Sequence, residues 1–373
     1  IEPPESVDLK CSMWCPFLSS SQPLLRFSQE TCRKYVFRDC TFNTPEEWRV
    51  LKEKLTAKVL SVLNLSLEEL LAYKPAILKE GEYECCNYRV ERFVLSWDEG
   101  ITIPFYRWTP SESRGGKRAC LVMMCDNGKL SCLDEKLLGS VLENGADLFV
   151  LDVRGLGETL PIAPTHRIIA TADGTLAEVE SETEETLEFE VATNHMMIGT
   201  SLLGRQVADL LYFLRVLRIL YEEQANSLPR TALFSSGVRT SLVSLFASAI
   251  DDEIQLVVLD NLLLNYVSLV GRGTLAPMGI YLFDVLRNFD LDCVAAMVAP
   301  HRLVINRPIL FKDGEQYEVE VDVAKSAYTF TLDMYQSMGC NERFRIDCKP
   351  FPALVLEEIA TFLVAWPEPC IGR

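Results

Sequence analysis

The sequence predicts an α/β fold: a mostly parallel central sheet flanked by helices, behind an N-terminal helical extension. Three observations carry this. "ACLVMMCD" (119–126), "ADLFVLDV" (146–153) and "IQLVVLD" (254–260) are short, nearly continuous apolar runs, as strands buried on both faces require. Segments of helical period separate them. The strongest is "SLLGRQVADLLYFLRVLRIL" (201–220), with Val207, Leu210, Leu211, Leu214 and Leu217 on one stripe. Strand and helix therefore alternate, the signature of a parallel sheet with crossover helices. The length of 373 residues, 49% of them apolar, is enough for one large domain with an extension.

The elements follow in order. Residues 1–45 are irregular and rich in Pro and Ser. "TPEEWRVLKEKLTAKVLSVL" (44–63) opens on a capping signature, Thr44 then Glu47, and continues at helical period. "LSLEELLAY" (65–73) adds a short helix or turn. Residues 1–85 thus read as the irregular and helical extension, and 86–373 as the α/β domain. "YRVERFVLSWDEGITIPFYRW" (88–108) alternates about a D-E-G turn and predicts a β-hairpin. A helix is expected at about 132–143, and a long polar insertion covers about 156–195. "RTALFS" (230–235) is a strand and 238–250 a helix. Beyond "IQLVVLD", "HRLVIN" (301–306) and "RFRID" (343–347) read as strands, and 324–339 and 354–366 as helices.

Charge and cysteine usage bound the partners. Lys+Arg is 36 against 53 Asp+Glu, a net charge of −17, so a phosphate backbone would be repelled and nucleic acid is excluded as a partner. Seven glutamates fall in "AEVESETEETLEFE" (177–190), a solvated loop or strand edge, or else a cation or basic-partner site. No apolar run approaches the length of a membrane span. The first residue is Ile, which points to a removed leader or upstream domain. Of the 13 cysteines, Cys120, Cys125 and Cys293 lie in apolar stretches and read as small core residues. Cys11, Cys15, Cys32 and Cys40 cluster where two disulfides would staple the N-terminus of an exported chain, or where, less conventionally spaced, a zinc would sit. A soluble chain is expected; its compartment and oligomeric state stay open.

Chemistry concentrates at "LFSSGVRT" (233–240), a strand that runs through two serines and a glycine into a helix. Strand, sharp turn, helix is the geometry of a nucleophile elbow, although G-x-S-x-G is absent. Three further stretches matter. "DVRGLGET" (152–159) is similar to the D-x-R-G-x-G-E-T after the fourth core strand of the acetyl-xylan-esterase-like α/β-hydrolases, relatives of the prolyl-oligopeptidase-type hydrolases. "MMIGTSLLGRQVADLLYFLRVL" (196–217) resembles the long helix before their nucleophile strand, and "FASAIDDEIQLVVLD" (246–260) the helix and strand after it. "APHRLVIN" (299–306) is similar to the segment that leads to their acid. The resemblance runs from about residue 44 to the end. It implies an α/β-hydrolase fold, no cofactor or resident metal, and an acylated carbohydrate or other small-molecule ester as substrate.

Read physically, "RGLG" supplies glycines for a tight turn, Glu158 and Thr159 can cap it, and Arg154 can pair with Asp152 or Glu158. The triad is harder to place. The family's register puts the nucleophile near Gly237 or Val238, one residue past Ser236. Phe234 and Val238 are bulky where strand and helix come close. The resemblance places the histidine near "IDCKPFP" (346–352), which has none; His166, His195 and His301 are the chain's three. His301 begins a strand, at the wrong end of the sheet. The acid belongs near "NRPI" (306–309), which lacks a carboxylate; Asp313 comes later. Asn127 and Gly128 in "CDNGKL" (125–130) can still offer oxyanion N–H groups.

Three readings follow. One is a catalytically degenerate hydrolase fold used as a binding or structural module, with a closed or repurposed pocket beneath Ser236 that includes Gly237, with Phe234, Val238 and Arg239 filling the substrate space, and Arg239 drawing a carboxylate ligand. Another is an esterase with a rewired triad of Ser236, His195 and Asp313. The third, metal-dependent hydrolysis, is opposed by three scattered histidines and the lack of H-E-x-x-H.

Overall fold

The computed structural model describes residues 45–73, 76–85, 88–97, 100–110, 119–131, 133, 135–160, 167–170, 176–179, 184–225, 229–270 and 275–364. The cysteine cluster at 11–40 and His166 lie outside them.

Among the described residues two helices precede the sheet, α1 (Pro45–Leu63) and α2 (Leu67–Ala72). Ser66 caps α2, accepting from the Glu69 N–H. The first strands are β1 (Ala76–Cys85), β2 (Tyr88–Trp97), β3 (Ile101–Pro110) and β4 (Ala119–Cys125). Then come α3 (Glu135–Glu143), β5 (Asp147–Leu151), β6 (Arg167–Ala170), β7 (Leu176–Val179), α4 (Glu184–Met197) and α5 (Leu202–Ala225). The elbow region holds β8 (Arg230–Ser236), α6 (Val238–Ile250) and β9 (Ile254–Asp260). Last are α7 (Val285–Asn288), α8 (Leu291–Ala296), β10 (Arg302–Asn306), β11 (Ile309–Lys312), β12 (Glu315–Glu318), α9 (Val321–Ala327), α10 (Thr329–Ser337), β13 (Phe344–Asp347) and α11 (Phe351–Val364).

Nine strands form one sheet in the order β1-β2-β3-β5-β4-β8-β9-β10-β13. The first three form an antiparallel meander, and β3 pairs antiparallel with β5. From β5 to β13 all pairings are parallel. The chain leaves β4 for β5 on one side and later returns to β8 on the other. The carboxyl ends of β4 and β8 therefore border the switch point, where open α/β sheets take their ligands.

From β5 to β10 both faces of the sheet are covered, which is why those strands are buried nearly throughout and largely apolar. Alternation still sorts the side chains. In β4, Cys120, Val122 and Met124 join the core under α1, α5 and α6, while Leu121 and Met123 join the one under α3 and α11. The five stripe residues of α5 are buried, and so are Tyr212, Phe213 and Val216, so this helix is enclosed on most of its circumference. Phe105 stacks on Phe93 and meets the edge of Phe213, with centroids 5.0 and 5.1 Å apart.

Several expectations need correction. Residues 76–85, placed by sequence in the N-terminal extension, are the edge strand of the central sheet. Lys79, Glu80, Glu82 and Glu84 mask its strand character, as edge strands commonly do. The helix expected at 324–339 is two, α9 and α10, broken at Tyr328 with φ −108° and ψ 35°. Cys120 and Cys293 are buried and outside any disulfide, but Cys125, also buried, is disulfide-bonded rather than a simple core residue. Among the described residues no helix is long and apolar enough to cross a membrane.

Candidate functional site

The elbow is a sharp one. β8 ends at Ser236 and α6 begins at Val238, leaving Gly237 alone at the apex. Its φ of 113° and ψ of 158° belong to a region open essentially to glycine alone. The Gly237 N–H donates to the Asp260 carbonyl at 3.0 Å, and its own carbonyl accepts from Ser241 N, so the apex is tied to β9 and to the first turn of α6. Phe234 and Val238, on either side, are buried in the two cores.

Asp126, just past β4, fills the space over the apex. A Cβ built on Gly237 would lie 2.2 Å from the Asp126 Cγ. The carboxylate caps α6 from outside the helix. Its Oδ2 accepts from Arg239 N at 3.0 Å, and its Oδ1 from Thr240 N at 2.8 Å and Thr240 Oγ1 at 2.9 Å. An anion at a helix N-terminus is favourable, and here the chain supplies its own. Arg239 also reaches Asp126 and, at 3.3 Å, Glu188 of α4, so the carboxylates it meets belong to the chain. Glu188 in turn accepts from Gly279 N at 3.1 Å.

Ser236 faces β9. Its Oγ donates to Asp260 Oδ2 at 3.1 Å. Asp260 is fully buried and ends its strand beside Ser236. Arg307 grips it twice, Nη2 to Oδ2 at 2.6 Å and Nε to Oδ1 at 2.9 Å, and Asn306 Nδ2 adds a bond to Oδ1 at 2.7 Å. The hydrogen bond to Asp260 raises the Arg307 pKa above the ordinary arginine value, against the opposing effect of burial. Asn306 goes on to accept from Lys349 N and donate to Lys349 O, both at 3.0 Å. The resemblance put an acid and a histidine in these two segments. The amide of Asn306 and the guanidinium of Arg307, both bonded to Asp260 of β9, occupy the first, and the Lys349 backbone closes the second.

The remaining candidates lie apart in their bonding. His195 is near the end of α4, and its Nδ1 bonds the Val191 carbonyl at 2.8 Å. Asp313 sits in the β11–β12 turn with φ 52°, exposed. Among the described residues no hydrogen bond joins Ser236 to an imidazole or to Asp313. Of the oxyanion pair, Gly128 spends its N–H on the Cys125 carbonyl at 3.0 Å, and Asn127 is exposed. His301 lies at the amino end of β10, as expected. Among the described residues no group of three His, Cys, Asp or Glu side chains could hold a metal.

The "RGLG" turn holds its shape as predicted in one respect and not in another. Thr159 caps it, donating to the Val153 and Leu156 carbonyls, both at 2.7 Å. Arg154, however, pairs not with Asp152 or Glu158 but with Asp209 of α5, at 2.7 Å, where Trp97 Nε1 also donates. Lys129 takes the expected carboxylates instead, Asp152 and Glu158, each at 2.8 Å. Gly157 is required here, because a Cβ would strike the Asp152 carboxylate at 2.4 Å. Sequence reasoning missed Asp126, Asp260 and Arg307. The signal was available for the first two: each is a carboxylate at the carboxyl end of a parallel strand, where side chains face the switch point.

No family model matches the chain, and no curated protein matches it. Solved structures do. A proposed acetyl xylan esterase from Bacteroides fragilis superposes with a TM-score of 0.61 at 14% identity, over 89% of this chain and 83% of its own. A glucuronoyl esterase from Solibacter usitatus gives 0.53 at 10% identity, over 87% and 94%. Acetyl xylan esterase 1 from Thermoanaerobacterium gives 0.52 at 13%, over 92% and 100%. The chain thus has the α/β-hydrolase fold.

Proposed function

We propose that this α/β-hydrolase-fold chain is catalytically degenerate and serves as a binding or structural module. One observation carries the reading. The elbow apex is Gly237, and the space a nucleophile there would need is taken by the Asp126 carboxylate. Ester hydrolysis through this fold needs a nucleophile, a base that takes its proton and N–H groups that hold the oxyanion. At this elbow the apex has no side chain, and the Arg239 and Thr240 N–H groups in the first turn of α6 are capped internally by Asp126. The hydroxyl beside the apex donates to a carboxylate whose two oxygens are already engaged by Arg307 and Asn306.

A competing reading keeps Ser236 as nucleophile of an active carboxylic-ester hydrolase, with His195 and Asp313. It is favoured by the half-buried Ser236 hydroxyl lying within hydrogen-bond reach of a carboxylate at the switch point. Its substrate would be an acylated carbohydrate or another small-molecule ester, in keeping with the names of the structural neighbours. Fluorophosphonate labelling, read by intact mass and peptide mapping beside a control esterase, separates the two. No adduct is expected. A stoichiometric adduct on Ser236 would overturn the degenerate reading.

A further inference from the structure

A polar cavity of about 310 Å³ lies between the open face of the β1–β3 meander and the loops after β4 and β5. It shares no lining residue with the elbow. On the sheet side, Arg92 and Tyr106 are cross-strand partners and so share a face. On the loop side, Lys129, Glu158 and Thr159 form the wall. This volume is at the lower end of the ~300–1,000 Å³ common for small-molecule sites, which suits a single small ring.

The charges of the wall are matched within it. Arg92 Nε meets Glu80 at 3.0 Å, and Lys129 Nζ meets Glu158 at 2.8 Å. With each of these charges already paired, the wall offers little net charge to offset the desolvation of a charged ligand. Hydroxyl groups face no such penalty, since each can donate to a carboxylate and accept from a cation. Lys129 is the built element. It is 3% exposed, and its ammonium sits 5.5 Å from the Tyr106 ring centre. Its three donors outnumber its two named carboxylate partners, Asp152 and Glu158. The Tyr106 ring supplies an apolar surface for the C–H face of a ring.

We propose that this cavity binds an uncharged, hydroxyl-rich ring of monosaccharide size. The inference does not depend on whether the elbow is active, and its test involves no turnover.

The test is ligand-observed saturation-transfer NMR on the full chain, with three probes built on one ring: methyl β-D-glucopyranoside, D-glucuronate and D-glucosamine. The neutral glycoside is expected to bind in the millimolar range, at least about ten-fold more tightly than either charged sugar. Arg92→Ala, at the exposed end of the site, and Tyr106→Leu should each weaken it by about ten-fold, with thermal unfolding reporting that the fold is kept. The proposal is overturned if no probe receives saturation, if a charged sugar binds as well as the neutral one, or if both folded variants bind the glycoside like the parent.

Discussion

The Asp126 carboxylate stands where residue 237 would project a side chain, with its Cγ 2.2 Å from an ideal Cβ on Gly237. Two positions 111 residues apart in sequence are therefore complementary: a glycine with φ 113° and a carboxylate that caps the helix it introduces. Gly237→Ser must displace Asp126, lose its caps and hold a side chain in a strained backbone region. A cost of about 3–5 kcal/mol is expected. Asp126→Gly alone should cost about 1–2 kcal/mol, the usual value of a lost cap. The double variant should lose less than the sum, because the clash is gone. Urea unfolding of the four proteins measures the coupling. Strict additivity would mean that the carboxylate does not fill the apex.

Asp260 ties Ser236 to Arg307, and the two partners should differ sharply in weight. Removing the Ser236 hydroxyl deletes one of several bonds to Asp260, so Ser236→Ala should cost about 1 kcal/mol and leave any ester hydrolysis unchanged. Arg307→Met leaves a fully buried carboxylate without its cation, an expected loss of about 3–5 kcal/mol. Denaturant midpoints and a p-nitrophenyl acetate assay on both variants check this. A loss of turnover in Ser236→Ala with its stability intact would favour the active reading.

The sequence carried the sheet and the long helices because burial on both faces leaves uninterrupted apolar runs, and the α5 stripe leaves a period. It hid β1 because an edge strand carries charge: Glu80, Glu82 and Glu84 leave little alternation to read. The elbow was legible as strand, Ser-Ser-Gly, helix. Its closure was not, since what fills the apex is Asp126, a residue of another strand end that no local pattern links to Gly237. The Arg154 expectation failed for a like reason. Nearby carboxylates in sequence were taken by Lys129, while Asp209, 55 positions on, lies one helix away in space.

His301 offers a pH signature. Burial lowers its pKa below the usual 6.5, with Lys52 and Arg343 acting the same way and Asp252 opposing. The unfolded chain then takes up the proton more readily than the folded one. Its contribution to stability is fully present above about pH 6.5 and is lost as pH falls toward the lower folded value. The denaturation midpoint should therefore drop between about pH 7.5 and 5.5, and drop less in His301→Gln. Equal slopes in the two proteins would show that His301 titrates alike folded and unfolded.

Asp209 should be among the costliest polar residues to remove. It is fully buried on α5, and both of its oxygens are used. Oδ1 accepts from Trp97 Nε1 at 2.9 Å and from the Arg154 guanidinium, while Oδ2 takes the Arg154 backbone N–H at 2.9 Å. Arg154 itself lies over the Trp97 ring, 5.3 Å from its centre. The carboxylate thus joins β2, α5 and the "RGLG" turn. Asp209→Ala strips a buried guanidinium of this partner and orphans the indole N–H, for an expected loss of about 3–5 kcal/mol. Trp97→Phe removes one bond and part of a ring, about 1–2 kcal/mol. Asp209→Asn keeps the shape but not the charge, and should fall between the two. If the three variants unfold at the same denaturant concentration, ring packing and not the carboxylate holds the turn to the helix.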